Sequence, residues 1–246
     1  MLTPRIFVGD DVPALTEGAE YVLPPVAARH VAQALRMRAG QPLAVFTGTG
    51  GEYAAAVERI DRKHVVVRVQ RHHAIERESA QAVTLVQSII AADMMDFVIR
   101  KAVELGAAAI APIRSARSQG LSAEREERRA GRWRQIVVAA CEQCGRNRLP
   151  DVLPVASFDA WLAAERPLRN AVIMDAGARR SLAAQAADAS PRFVLIGPEG
   201  AFTDDEIARA EAAGATPVHA GPRVLRAETA ALAALATLNA LAGDAR

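Results

Sequence analysis

Hydrophobic and polar positions over the first seventy residues fall into short runs broken by turn residues. Arg5-Ile6-Phe7-Val8 and Glu20-Tyr21-Val22-Leu23 read as two strands, the second closed by Pro24-Pro25. Ala27, Val31, Ala34 and Leu35 then share a helical face, with Gly40 as the expected stop. From Pro42 the period shortens. Leu43–Phe46, Tyr53–Ile60 and His64–Val69 are predicted strands, separated by the turn-rich Thr47–Gly51 and a turn at 61–63. Several short strands with tight turns and a single helix predict a small β-rich barrel over residues 1–72. Residues 73–82 are polar and aperiodic, as a linker would be.

The grammar changes over residues 83–246, where strand and helix patterns alternate. The apolar run Val83–Ala91 precedes a helix capped by Asp93 and stopped at Gly106. Ala109–Ile113 is the next strand, and a long helix then runs to about Gly145, its Glu/Arg-rich first turns reading as a solvated face. Val152–Val155, a short helix from Ser157, and Ala171–Met174 continue the alternation. Such βα repetition implies a mostly parallel sheet covered on both faces, so the fold class is α/β with a small N-terminal β-barrel. Near the C-terminus Phe193–Ile196 runs directly into Gly197-Pro198-Glu199-Gly200. Thr203-Asp204-Asp205-Glu206 then has capping-box spacing, and Gly214 ends the helix it starts. Pro217–Ala220 is a further strand, followed by a second Gly-Pro loop, Gly221-Pro222-Arg223-Val224-Leu225-Arg226-Ala227-Glu228-Thr229, and a closing helix apolar on all sides. Ligands of open α/β sheets sit outside the carboxyl ends of strands, and glycine removes the side-chain bulk that keeps a ligand from the backbone. Two such loops together predict a pocket lined by main chain.

Composition changes this picture little. The chain has 246 residues, net charge +2 and only two lysines, Lys63 and Lys101, so no general affinity for polyanions follows. Cys141 and Cys144 form a lone Cys-x-x-Cys without further ligands at matching spacing, which reads as packing rather than metal binding; no metal is expected. No apolar run is long enough to span a bilayer and no signal-peptide pattern is present, so a cytoplasmic protein without membrane association is expected. Arg223, Arg226 and Glu228 stand together before the last helix. Glu142, Gln143 and Arg146 cluster at the Gly145 break, where an arginine also suits the helix dipole without any further role.

The stretches Arg5-Ile6-Phe7, Phe46-Thr47-Gly48-Thr49-Gly50-Gly51-Glu52-Tyr53, Lys101-Ala102-Val103-Glu104-Leu105-Gly106, Glu142-Gln143-Cys144-Gly145-Arg146, Ile196-Gly197-Pro198-Glu199-Gly200 and Gly221–Ala231 run in order along the chain. Together they resemble the RsmE-type methyltransferases of bacterial small-subunit ribosomal RNA. The resemblance implies a PUA-like RNA-binding barrel, then a SPOUT methyltransferase domain with a deep trefoil knot, in a homodimer. It further implies S-adenosylmethionine as methyl donor and N3 of one uridine in 16S ribosomal RNA of the assembled small subunit as acceptor. Position by position it puts Met174, Ile196, Gly197, Pro198, Gly200, Ala220, Gly221, Val224 and Leu225 at the cofactor. Glu142, Arg146, Arg226 and Glu228 fall at the reacting base, and Arg5, Gln143 and Arg223 against RNA; apart from the resemblance, Arg36 and Arg38, with Arg29 and His30, flank the helix of the small domain and read as RNA-phosphate contacts. Ala201 departs from the family, which commonly has a second glycine there. Two other readings of the residues predict different ligands: a non-catalytic RNA-binding protein, and an α/β enzyme acting on a small phosphorylated metabolite.

Overall fold

Short strands rich in Val and Ile, each cut by a Gly or Pro turn, assemble the first sheet in the computed structural model. The structure describes residues 3–9, 12, 15–61, 64–120, 123–165 and 167–244, so turn positions 62 and 63 lie outside the described residues. Strands β1 (Arg5–Phe7), β2 (Glu20–Val22), β3 (Pro42–Phe46), β4 (Glu52–Ile60) and β5 (Val65–His73) form a five-stranded sheet in the order β1-β3-β4-β5-β2. β1 pairs parallel to β3 and the other pairs are antiparallel. Alternate positions point inward, so Ile6, Leu43, Val45, Val57 and Val67 are fully buried with Val31 of the helix. That helix is α1 (Pro25–Arg29), prolonged by a π-helical turn over His30–Ala34. It stops at Leu35 rather than Gly40, because Arg36 takes φ +51, outside the right-handed helical region. Residues 1–78 and 138–149 make up this unit.

The second unit, residues 79–137 and 150–246, is built on a parallel sheet. Its strands β6 (Thr84–Ser88), β7 (Ala109–Arg114), β8 (Asp151–Val152), β9 (Ala156–Ser157), β10 (Ala171–Met174), β11 (Phe193–Ile196) and β12 (Ala215–Val218) run in the order β12-β10-β11-β6-β7-β8, with β9 also on β7. The central strands bury both faces, as their unbroken apolar composition requires: Leu85, Val86, Ile110, Val172, Ile173, Val194 and Leu195 are all inaccessible. Helices α2 (Ala92–Glu104), α3 (Ala123–Cys144), α4 (Phe158–Ala164), α5 (Leu182–Asp188), α6 (Asp204–Ala213) and α7 (Ala227–Ala242) complete the described elements. A further expectation needs correction, and one helix was not expected at all. Ala91, not Asp93, is the N-cap of α2, and Asp93 lies in the first turn, where its charge suits the helix dipole. Helix α5 escapes the hydrophobic pattern, although Ser181 caps it by accepting from Ala184 N–H at 3.2 Å.

The capping box of α6 forms as expected, with Thr203 Oγ1 accepting from Glu206 N–H at 3.2 Å and the Glu206 carboxylate accepting from Thr203 N–H at 2.9 Å. Glu206 is almost wholly buried, and its other oxygen accepts from Ala116 N–H at 2.7 Å. One side chain thus starts α6 and ties it to the loop after β7. Helix α7 packs on α2, α5 and β11 through Ala230, Ala231, Ala234, Leu235 and Leu238, while Leu241 stays exposed. Among the described residues no helix is long and apolar enough to cross a membrane.

Candidate active site

The order β12-β10-β11 sets three strand ends side by side, with chain leaving each at the carboxyl edge. A cavity of about 360 Å³ opens there. Met174 and Asp175 come from the end of β10, and Ile196, Gly197 and Pro198 from the end of β11. Ala220, Gly221, Val224 and Leu225 come from the segment between β12 and α7. Of the nine positions expected at a cofactor, only Gly200 is not on the cavity wall. Its carbonyl instead accepts from the Arg117 guanidinium at 2.7 Å, which braces the loop after β11 against the loop after β7. Glu199 braces it a second way, accepting from Ala91 N–H at 3.0 Å at the start of α2.

Close backbone packing explains the glycine at 197. A methyl group there would lie 2.9 Å from the Phe202 nitrogen and 3.2 Å from the Ala201 carbonyl carbon. Ala201 itself has φ +59, in the left-handed region that L-residues adopt at a cost of about 1–2 kcal/mol. The departure from glycine at this position therefore strains the loop rather than only narrowing it. His219, which the sequence pattern marks only as a strand residue, also lines the cavity and accepts from Gly221 N–H through Nδ1 at 3.1 Å.

Arg223 lines this cavity and is exposed, and Arg226, three residues on, is exposed as well. Glu228 is half-buried in the first turn of α7. The three are thus not all ahead of the helix as expected: Arg223 is in the loop, Arg226 is the N-cap and Glu228 lies within α7. Glu142, Gln143 and Arg146 belong to the other unit, at the end of α3 and just beyond it.

There the polar residues close on themselves. Arg146 is 4% exposed and forks onto Glu78, with Nε to Oε1 at 3.2 Å and Nη2 paired to Oε2. Arg5 ion-pairs with Glu52, donates to Asn147 Oδ1 at 2.6 Å and to the Arg146 carbonyl at 3.2 Å, and lies over the Phe46 ring. Arg5, expected against RNA, and Arg146, expected at the reacting base, are thus turned inward as clasps between the N-terminal sheet and segment 138–149. Arg77 reinforces them by donating to the Gly145 carbonyl at 2.8 Å. Glu142 accepts from Phe7 N–H at 3.0 Å. Burial pushes its carboxyl above the usual range, against the opposing pull of that hydrogen bond and of His30 and Arg5. Gln143, Arg36 and Arg38 are exposed.

A parallel sheet with glycine-proline loops around a cavity at its carboxyl edge thus stands in one chain with a small five-stranded β unit, and comparison with known proteins gives the class as RNA methyltransferase. The RNA methyltransferase domain model matches residues 77–239, and the RNA methyltransferase PUA domain model matches residues 27–70. Ribosomal RNA small subunit methyltransferase E of Mycobacterium bovis is 31% identical over 218 residues, covering 86% of this chain and 83% of its own. Its Buchnera aphidicola counterpart is 28% identical, covering 98% and 94%. The crystal structure of the Neisseria gonorrhoeae enzyme of that name, bound to S-adenosyl methionine, is 33% identical with a TM-score of 0.89 over 98% of both chains. The chain belongs to the ribosomal RNA small subunit methyltransferase E family.

Proposed function

We propose that the cavity at the ends of β10, β11 and β12 binds S-adenosylmethionine, and that the protein methylates N3 of a uridine in 16S ribosomal RNA of the assembled small subunit. The observation that carries this is the cavity itself. Main chain from both Gly-Pro loops lines it beside the apolar side chains of Met174, Ile196 and Leu225, and its volume lies in the range of small-molecule sites. These residues fit the donor's chemistry. The apolar side chains suit a flat purine, backbone amides and carbonyls of the loops suit its polar edge, and Asp175 offers a carboxylate to hydroxyl or ammonium groups. When bound, the sulfonium supplies an electrophilic methyl group.

Uracil N3 carries a proton that must leave before or during attack, so the protein needs a base and a group to steady the charge left on the ring. Glu228 and Glu142 are the carboxylates proposed for the first task. The guanidiniums of Arg223 and Arg226 serve the second from the turn that enters α7. Holding acceptor and donor in line supplies roughly 7–11 kcal/mol of barrier reduction, so positioning outweighs base help of about 10²–10⁴-fold. Exposed Arg36 and Arg38 give the barrel cationic contacts for RNA phosphates. A homodimer with the knotted connectivity of the family completes the reading, as does a cytoplasmic location beside the ribosome.

The test is methyl transfer to small subunits purified from cells lacking the gene, followed by mass spectrometry of the digested RNA. One new methyl group on a uridine at N3 is expected. Transfer to naked RNA at the same rate refutes the assembled-subunit substrate, and no incorporation refutes the activity. Single-turnover rates of Glu142→Gln and Glu228→Gln decide the base: full activity in both removes the carboxylate.

A further inference from the structure

His219 follows β12 and is held by main chain on both sides. Its N–H donates to the Arg180 carbonyl at 2.9 Å, and its own carbonyl accepts from Leu182 N–H at 2.9 Å. The imidazole is therefore fixed on the cavity wall, where Nδ1 accepts from Gly221 N–H at 3.1 Å. A ring nitrogen that accepts carries no proton, so the ring is neutral with its proton on Nε2. Gly221 has φ +93 and opens the turn that bears Arg223, Val224 and Leu225. No other side chain among the described residues hydrogen-bonds the backbone N–H of Gly221.

We propose that His219 is a positioning residue for the cofactor loop, holding Gly221, and through it the turn 221–226, in the binding conformation only while its Nδ1 is unprotonated. The inference rests on the cavity being the S-adenosylmethionine site. A second proton on the ring sets N–H against N–H, and an attractive contact becomes a repulsive one. The charged groups sharing this wall are the carboxylates of Asp175, Glu199 and Asp204 and the guanidiniums of Arg117 and Arg223. Arg226 caps α7 and Glu228 lies in its first turn, and Arg180, behind the histidine backbone, is paired with Asp188. The window over which the contact is tested runs from about pH 8 down to about pH 5.5.

Two measurements on the full chain test this. Nitrogen-resolved NMR of the imidazoles, with His219 assigned by its loss in His219→Asn, should show the Nε2–H form at about pH 8; the opposite tautomer overturns the proposal whether or not a cofactor binds. Calorimetry with S-adenosylhomocysteine should then show affinity falling by about tenfold per pH unit once the ring is mostly protonated, as only the unprotonated fraction binds. His219→Asn keeps an oxygen acceptor that does not titrate, so its affinity should be flat across the window, whereas His219→Leu should bind weakly throughout. A wild-type slope in His219→Asn, or wild-type affinity in His219→Leu, overturns the proposal alone. Absence of binding by the wild type at about pH 8 overturns the cofactor reading and the proposal with it.

Discussion

Gly197→Ala isolates the close approach of backbone to backbone in the cavity wall. The native φ at this position is not in the left-handed region, so alanine is conformationally acceptable and only the added methyl is tested. That methyl would stand 2.9 Å from the Phe202 nitrogen and 3.2 Å from both the Cα and the carbonyl carbon of Ala201. Ordinary contact begins near 3.4 Å, so the chain must give by up to about half an ångström against atoms that cannot rotate away. Overpacking of this kind costs about 1–3 kcal/mol, and the neighbour that must move, Ala201, is already strained at φ +59. A loss of about 2 kcal/mol in urea unfolding is expected. Cofactor affinity should weaken by about tenfold or more, since each 1.4 kcal/mol lost from wall contacts is a factor of ten. Gly177→Ala serves as the control, because a methyl there meets only the Asp175 carboxylate at an ordinary 3.5 Å. Adding Ala201→Gly to Gly197→Ala should recover part of the loss non-additively, as the two positions share one contact. Unfolding within about 0.5 kcal/mol of wild type, together with affinity within about twofold, refutes the reasoning.

Three other outcomes follow from the same structure. The Glu142 carboxyl is raised in the folded protein, so its contribution is favourable at acid pH and is lost as pH rises through the raised value. Glu142→Gln keeps an oxygen for Phe7 N–H and should unfold at higher urea than wild type at neutral pH, the gap closing towards about pH 4; a variant less stable at neutral pH contradicts this. Gly131 lies on the exposed side of α3 with nothing within 4 Å of an added methyl, so Gly131→Ala should stabilise by about 0.5–1 kcal/mol in thermal unfolding. Burial pushes the Cys141 thiol up to about 12, while Cys144 is half-buried. A disulfide reagent at mildly alkaline pH should therefore modify Cys144 alone in the native protein and both after unfolding.

Local signals proved the most legible. The capping box at Thr203 and Glu206, the helix stop at Gly214 and the strand before the first Gly-Pro loop follow from neighbouring residues, and the structure shows each of them, whereas the strand before the second loop runs over Ala215–Val218 rather than the expected Pro217–Ala220. Arg5 and Arg146 show what spacing hides. The resemblance puts Arg5 against RNA and Arg146 at the reacting base, while the structure pairs them with Glu52 and Glu78, 47 and 68 positions away, and nothing local marks either pairing. The stop of the first helix was misplaced for a different reason. Gly40 is the obvious breaker, but a π turn and the positive φ of Arg36 end the helix sooner. Helix α5 was missed because Leu182–Asp188 holds one large apolar residue, too few for a period. His219 became visible only as a hydrogen bond, since a histidine at a strand end has many commoner uses.

Helix α3 contributes its first part to one unit and residues from 138 onward to the other. Synthesis is vectorial, so the barrel strands leave the ribosome long before residues 145–148, which supply acceptors for Arg5 and Arg77 and the guanidiniums that pair with Glu76 and Glu78. Until that stretch emerges, none of these contacts to the N-terminal strands can form. Their formation must therefore wait for most of the helix, and part of the catalytic unit, to be translated.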